Sequence, residues 1–255
     1  MRDDIKIRVE NLTMGYGEVI LQQDISFSVR KGEVTVIMGP SGCGKSTLFR
    51  HMLGLQEPIS GKVYYDDTCF TDSELPTRQS ILRRCGVLYQ SGALWSSMTV
   101  GENVALPLSE FTDNPDNEIA RIVDEKLTMV GLKGLEKKYP AELSGGMRKR
   151  AGLARAIALN PEILFFDEPS AGLDPVTSYK LDQTILELKK HLGTTIIMVT
   201  HELPSIFTVA DQSVYLDPDE RRMTAMGNPH DLIRNPPNES VKAFLTRNNT
   251  EMISK

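Results

Sequence analysis

The stretch Gly39-Pro-Ser-Gly-Cys-Gly-Lys-Ser46 restricts the fold more than any other part of this chain. It has the spacing G-x-x-x-x-G-K-S and follows the apolar run Val34-Thr-Val-Ile-Met38. A run that is apolar on both faces reads as a central parallel strand with helices on both sides. After the loop, a helix is predicted from about Lys45 to Leu53, stopping near Gly54. The loop glycines let successive backbone N–H groups converge on phosphate oxygens, and the helix N-terminus adds positive potential. In that setting Lys45 reaches the β- and γ-phosphates and Ser46 offers its hydroxyl to magnesium. Cys43 reads as a small residue inside the loop.

The rest of the chain is compatible with an α/β core around this loop. Ile5, Ile7 and Val9 alternate with polar residues, as do Ile25, Phe27 and Val29, which predicts strands before the loop. Between Met98 and Asn160 the pattern becomes helical, with Ile119, Ile122, Val123, Leu127 and Val130 on one face. This stretch is expected to form a helical subdomain at about 91–160. The apolar runs Ile163–Phe166 and Thr195–Val199, separated by a helix predicted over Val176–His191, return the chain to a βαβ pattern. Val214 and Leu216 then alternate with neighbours, and two short helices follow, punctuated by Asn235-Pro-Pro237. Residues 1–247 are expected to form one domain, with 248–255 a flexible tail.

Composition excludes some classes. With 255 residues, 40% hydrophobic and 25% charged, the chain has ordinary globular composition and enough length for a substantial core. A formal charge of -5 argues against a protein that neutralises nucleic-acid phosphates, so no nucleic-acid partner is expected. Cys43, Cys69 and Cys85 are scattered, which suggests neither a disulfide framework nor a zinc site and fits a reducing cytoplasm. The N-terminus lacks an apolar signal region and no run approaches a membrane span, so the chain is expected neither to enter a bilayer nor to be exported.

Two further stretches carry chemistry. Ile163-Leu-Phe-Phe-Asp167-Glu168 is a buried strand ending in two acids. Asp167 can hold the magnesium, directly or through water, and Glu168 can polarise an attacking water. Leu143-Ser-Gly-Gly-Met-Arg-Lys-Arg150 reads as a glycine-rich turn opening a helix, followed by three basic side chains, an arrangement suited to a second anion.

Gly39 to Thr47, Gln90, Leu143-Ser-Gly-Gly-Met147, Phe166-Asp-Glu-Pro169, Ser170-Ala-Gly-Leu-Asp174 and His201 stand in the order and approximate spacing of ATP-binding-cassette (ABC) ATPases. From about Ile5 to Phe244 the chain resembles one such subunit. The resemblance implies a phosphate-loop NTPase fold of the ABC ATPase type, with a RecA-like core, an antiparallel β subdomain and an inserted α-helical subdomain. It implies ATP and magnesium as cofactors. Gly39, Pro40, Ser41, Gly42, Cys43, Gly44, Lys45, Ser46 and Thr47 would cradle the nucleotide, and Tyr16 would stack on adenine. Ser46, Gln90 and Asp167 would hold the metal, while Glu168 and His201 position the attacking water. Two cassettes would pair head to tail, so that Ser144, Gly145 and Gly146 close on the γ-phosphate held by the partner and Asp174 bridges the two.

Position 147 is Met where many cassettes have Gln. Together with Tyr89-Gln-Ser-Gly-Ala-Leu-Trp-Ser-Ser-Met-Thr-Val-Gly-Glu-Asn-Val104, this resembles the ATPase subunits of Mce/Mla-type lipid transport systems. That resemblance implies a separate membrane permease docking near Gln90–Val104, an Mce-domain protein and accessory subunits as further candidate partners, and a place on the cytoplasmic face of the inner membrane. Trp95 is expected either to anchor the permease, with Leu94 and Met98, or to pack inside the helical subdomain. The rival readings are an importer or exporter ATPase for amino acids, metals or drugs, and a soluble cassette without a transport role.

Overall fold

A computed structural model of the chain describes residues 4–17 and 19–246; the expected tail at 248–255 lies outside them. In chain order the elements are β1 (Ile5–Tyr16), β2 (Val19–Arg30), β3 (Val34–Met38), α1 (Lys45–Met52), β4 (Ser60–Tyr65), β5 (Thr68–Cys69) and α2 (Leu75–Leu82). There follow β6 (Cys85–Leu88), α3 (Val100–Phe111), α4 (Asp116–Met129), α5 (Gly145–Ala156), β7 (Ile163–Asp167), α6 (Pro175–Leu192) and β8 (Thr195–Val199). The last are α7 (Leu203–Val209), β9 (Gln212–Asp217), β10 (Arg222–Gly227), α8 (Pro229–Arg234) and α9 (Glu239–Thr246). The chain divides into two compact units, one made of residues up to Ile81 and from Ile197 onward, the other of Leu82–Ile196. Among the described residues no helix is long and apolar enough to cross a membrane.

The first unit holds an antiparallel sheet in the order β2-β1-β4-β5. Along β1 the buried hydrophobic side chains are Ile7 and Val9, then Leu12 and Met14. A strict alternation cannot produce that change of parity. Asn11 produces it: its backbone is left-handed at φ 46°, and the register with β2 shifts between Val9 and Leu12. The Ser26 hydroxyl fixes the bulge, accepting from Asn11 N–H at 2.9 Å and donating to Asn11 Oδ1 at 3.0 Å. The same unit carries the parallel strand that the sequence predicts. Every residue of β3 is buried, and β3 pairs in parallel with β9 from Thr35↔Gln212 to Met38↔Tyr215. β10 returns antiparallel beside β9, and the end of β8 meets β3 through Thr200 N–H to Ile37 O at 3.2 Å.

The second unit sets β6 parallel to β7, from Cys85↔Ile163 to Leu88↔Phe166, and Thr195 N–H at the start of β8 bonds Glu162 O at 2.9 Å. Both runs are apolar because helices cover them. Helix α5 lies so close to β6 that a Cβ on Gly86 would collide with the Ala156 carbonyl. α3 begins in a capping box, with Glu102 N–H donating to the Thr99 hydroxyl and Thr99 N–H donating to the Glu102 carboxylate.

Candidate functional site

The loop between β3 and α1 has the form its glycines permit. Gly42 (φ 84°) and Gly44 (φ 103°) are left-handed, a conformation that side chains disfavour. At Gly39 a Cβ would lie 2.7 Å from both the Cys43 sulfur and the Leu216 carbonyl oxygen. Lys45 is buried, and its ammonium arches back to the carbonyls of Gly39 and Pro40, 2.9 Å from each. A cation is thereby held at the mouth of the loop, beside N–H groups at the start of α1, where an anion is favoured.

Two side chains brace this loop. Gln22, fully buried on β2, donates from Nε2 to the carbonyls of Cys43 and Asp217 at 2.9 Å each. Gln22 is absent from the sequence candidates, and no local signal marks it, because its second partner is 195 residues away. Tyr16, exposed at the end of β1, has its hydroxyl 3.3 Å from that of Thr47, so the predicted adenine-stacking residue and the loop's last residue are brought together. Burial raises the Cys43 thiol above its ordinary pKa, against the lowering effect of Lys45. His201 is exposed directly after Thr200, whose bond to Ile37 sets it at the same sheet end as Gly39.

In the second unit β7 ends in half-buried Asp167, and buried Glu168 follows it. Glu168 has φ 48°, uncommon for a residue with a side chain and a mark of an imposed conformation. Its carbonyl accepts from Ala171 N–H at 3.2 Å. Asp174 caps α6, accepting from Val176 and Thr177 N–H at 3.1 and 3.0 Å. Hydrogen bonds from Thr177 hold its carboxyl below the usual range.

Ser144 is the N-cap of α5 and accepts from Met147 N–H at 3.3 Å, leaving its own proton to donate. Ser144 and Gly145 are exposed, whereas Gly146 is buried, and a Cβ there would lie 2.5 Å from Thr177 Cγ2. The three basic side chains that follow do not share one target. Arg148 Nη1 donates to Leu143 O at 2.7 Å, Arg150 Nη1 to the carbonyls of Val130 and Gly131 at 3.2 and 3.3 Å, and Lys149 to those of Glu168 and Ala171. The run is thus divided: Lys149 is buried on main-chain carbonyls and Arg150 turns to the Val130–Gly131 backbone, while Arg148 stays exposed beside the turn.

Gln90 is exposed after β6. Beyond it, Arg155 holds the carbonyls of Ala93 and Gly92 at 2.8 and 3.0 Å. Asn103, fully buried, accepts Trp95 N–H at 2.8 Å and donates to the carbonyls of Trp95, Met98 and Thr99 at 2.9–3.2 Å. Trp95 itself is 60% exposed, which rules out packing inside the subdomain; Leu94 and Met98 are half-buried. Tucking the backbone inward on Asn103 turns the indole outward.

No group of three or more His, Cys, Asp or Glu side chains among the described residues could hold a metal alone. Taken singly, a serine hydroxyl such as that of Ser46, an aspartate carboxylate such as that of Asp167 and an amide oxygen such as that of Gln90 are hard oxygen donors of the kind magnesium takes. A strand-loop-helix phosphate cradle, an acid pair after a second buried strand and a glycine-started helix define a phosphate-loop nucleotide-binding protein. Residues 22–171 match the family described as ABC transporter, and the chain belongs to that family. It is 40% identical over 241 residues to "Probable ribonucleotide transport ATP-binding protein mkl" of Mycobacterium tuberculosis, covering 94% of this chain and 66% of that one. The chain therefore spans just under two thirds of the mycobacterial protein's length. It is 38% identical over 239 residues to "Intermembrane phospholipid transport system ATP-binding protein MlaF" of Escherichia coli K12, covering 94% and 88% of the two chains. Among solved structures, cbiO1 from Clostridium perfringens, part of the transporter complex cbiONQ, superposes with TM-score 0.83 at 28% identity over 98% and 97% of the chains. The dimeric cassette MJ0796 in a post-hydrolysis state with ADP and Pi superposes at 0.78, with 30% identity over 87% and 98%. The fold is that of the ABC ATPase cassettes.

Proposed function

We propose that this chain is the ATP-hydrolysing subunit of a lipid transport system. Two copies pair head to tail around two ATPs and drive a separate integral membrane permease that moves phospholipid or another hydrophobic substrate. The observation that carries the cargo is the 38% identity to the E. coli phospholipid transport protein along 88% of that protein's length. The solved MJ0796 dimer supports the pairing. The subunit works from the cytoplasmic face of the inner membrane through its permease, with an Mce-domain protein and accessory subunits completing the system. Trp95, turned outward by Asn103, supports a docking surface for the permease at Gln90–Val104.

In this reading Lys45 and the loop N–H groups from Gly39 to Thr47 hold the β- and γ-phosphates, and Tyr16 holds the base. Bound magnesium would offset phosphate charge, with Ser46, Asp167 and Gln90 as its protein ligands. Glu168 takes the proton side of the attacking water and His201 orients it against the γ-phosphate. Ser144, Gly145 and Gly146 donate to the partner's nucleotide, across which Asp174 links the subunits.

The test is tagged purification from detergent-solubilised membranes, followed by identification of the co-purifying proteins and bound small molecules and an assay of Mg-ATP hydrolysis. An integral membrane partner with phospholipid is expected. Recovery with ribosomes or DNA and no membrane partner would overturn the proposal. The name borne by the mycobacterial relative favours a ribonucleotide cargo instead, and bound ribonucleotide other than ATP in the same preparation would establish that reading.

A further inference from the structure

We infer that Lys149 is a positioning residue that locks the turn carrying Glu168 to the helix that carries Ser144. Its side chain is almost wholly buried, at 6% exposure. A buried ammonium is unfavourable unless its protons are placed, and a flexible four-carbon stem loses rotamer freedom when fixed. Lys149 Nζ lies 2.5 Å from Ala171 O and 3.4 Å from Glu168 O, the two ends of the turn that follows β7.

That turn needs holding. Glu168 has φ 48°, and it precedes Pro169, whose ring favours extended backbone in the residue before it. The conformation that aims the Glu168 carboxylate is therefore imposed by its surroundings. The Glu168 carbonyl also accepts Ala171 N–H within the turn, so the lysine acts on a group already fixed from one side. Helix α5 meets the same segment a second time, at Gly146 against Thr177, with Leu173 Cδ2 3.9 Å from where a Cβ would stand. Ser144 at the start of α5 and Glu168 after β7 are thus joined through one helix. A shift of α5 when its N-terminus engages nucleotide is transmitted to the Glu168 backbone by Lys149. This role rests on the proposed assignment of Glu168 to the attacking water.

The test uses the full chain with Mg-ATP and the variants Lys149→Met, Lys149→Gln and Glu168→Gln. Methionine matches the stem and removes the charge, but it leaves the Ala171 carbonyl without this donor, so some loss of stability accompanies the substitution whatever its effect on turnover. Lys149→Met is expected to lower kcat about 10- to 100-fold through misplacement of Glu168, with KM and nucleotide Kd within about twofold and a thermal midpoint lowered by a few degrees at most. Lys149→Gln, which can still donate to one carbonyl, should recover part of the loss. Unchanged kcat in Lys149→Met, or a fall in kcat matched by an equal weakening of nucleotide binding, would overturn the positioning role. Should Lys149→Met not fold, Lys149→Gln decides alone: reduced kcat at constant KM supports the role and wild-type kcat overturns it. Normal turnover by Glu168→Gln would instead remove the assignment of Glu168, and with it this inference.

Discussion

Lys45 and Glu168 are both buried charged side chains, and their surroundings point to opposite duties. Lys45 is tied to the carbonyls of its own loop, which in the proposed function it exchanges for phosphate oxygens, whereas Glu168 sits on a backbone bent into place. Lys45→Ala should therefore weaken nucleotide binding and nearly abolish hydrolysis. Glu168→Gln should keep binding while kcat falls by about 100-fold or more. Tyr16→Ala should mainly raise nucleotide Kd, as titration with a fluorescent ATP analogue would register. A pH effect belongs to His51. Its Nδ1 is 2.8 Å from the Gln56 carbonyl and so donates, which leaves a buried Nε2 lone pair without a partner in the structure. Burial lowers its pKa from the ordinary value of 6.5, outweighing the raising effects of Gln56 and Glu57. The folded chain then takes up this proton less readily than the unfolded one. His51 contributes full stability above about pH 6.5 and loses it as pH falls. Unfolding midpoints measured from pH 7.5 to 5 should fall, and less steeply in His51→Asn, which keeps a donor for Gln56. The loop from Gly39 to Thr47 is legible in sequence because its residues lie within a few positions of one another. Gln22 and Lys149 are not, since their meaning depends on carbonyls brought near by folding.

At the scale of elements, α3 and the segment before it form one device. The Thr99–Glu102 capping box fixes where the helix starts, and Asn103 in its first turn gathers the carbonyls of Trp95, Met98 and Thr99. Thr99→Ala should cost about 1 kcal/mol in denaturant unfolding, the ordinary value of an N-cap. Trp95→Ala should leave basal ATP hydrolysis intact and weaken co-purification with the permease; an unfolded variant, or one that binds the permease normally, would count against docking. The strands of the parallel sheet and the helices with strong periodicity are legible from pattern. The break at Asn11 is not, because one left-handed residue reverses which side chains point inward without altering composition. The basic run misleads for a related reason: three adjacent cations point three ways around a helix, so proximity in sequence says little about a shared target.

For the whole molecule, the proposed head-to-tail arrangement makes a prediction that no single subunit can satisfy. One subunit carries Lys45→Ala and its partner Ser144→Arg. If the turn at Ser144 serves the other chain's nucleotide, both lesions fall in one site and the other site is intact. With Glu168→Gln added to both chains, verified mixed dimers should occlude one ATP each, and neither homodimer should occlude any. No occluded ATP in the mixture would sink the assignment in trans.

The parallel pairing of β3 with β9 also sets a timetable for synthesis. Thr35 faces Gln212, so 212 − 35 = 177 residues separate the two partners along the chain. At about 5–20 residues per second a ribosome needs roughly 10–35 s to make that stretch. Residues 82–196, one uninterrupted segment and one compact unit, are all made during the wait. The strand that leads into the phosphate loop cannot pair during it, because β9 and the end of β8 emerge late. The nascent chain should therefore be unable to hold nucleotide until most of it has left the exit tunnel, and a chain arrested before Gln212 should expose an apolar β3 to chaperones.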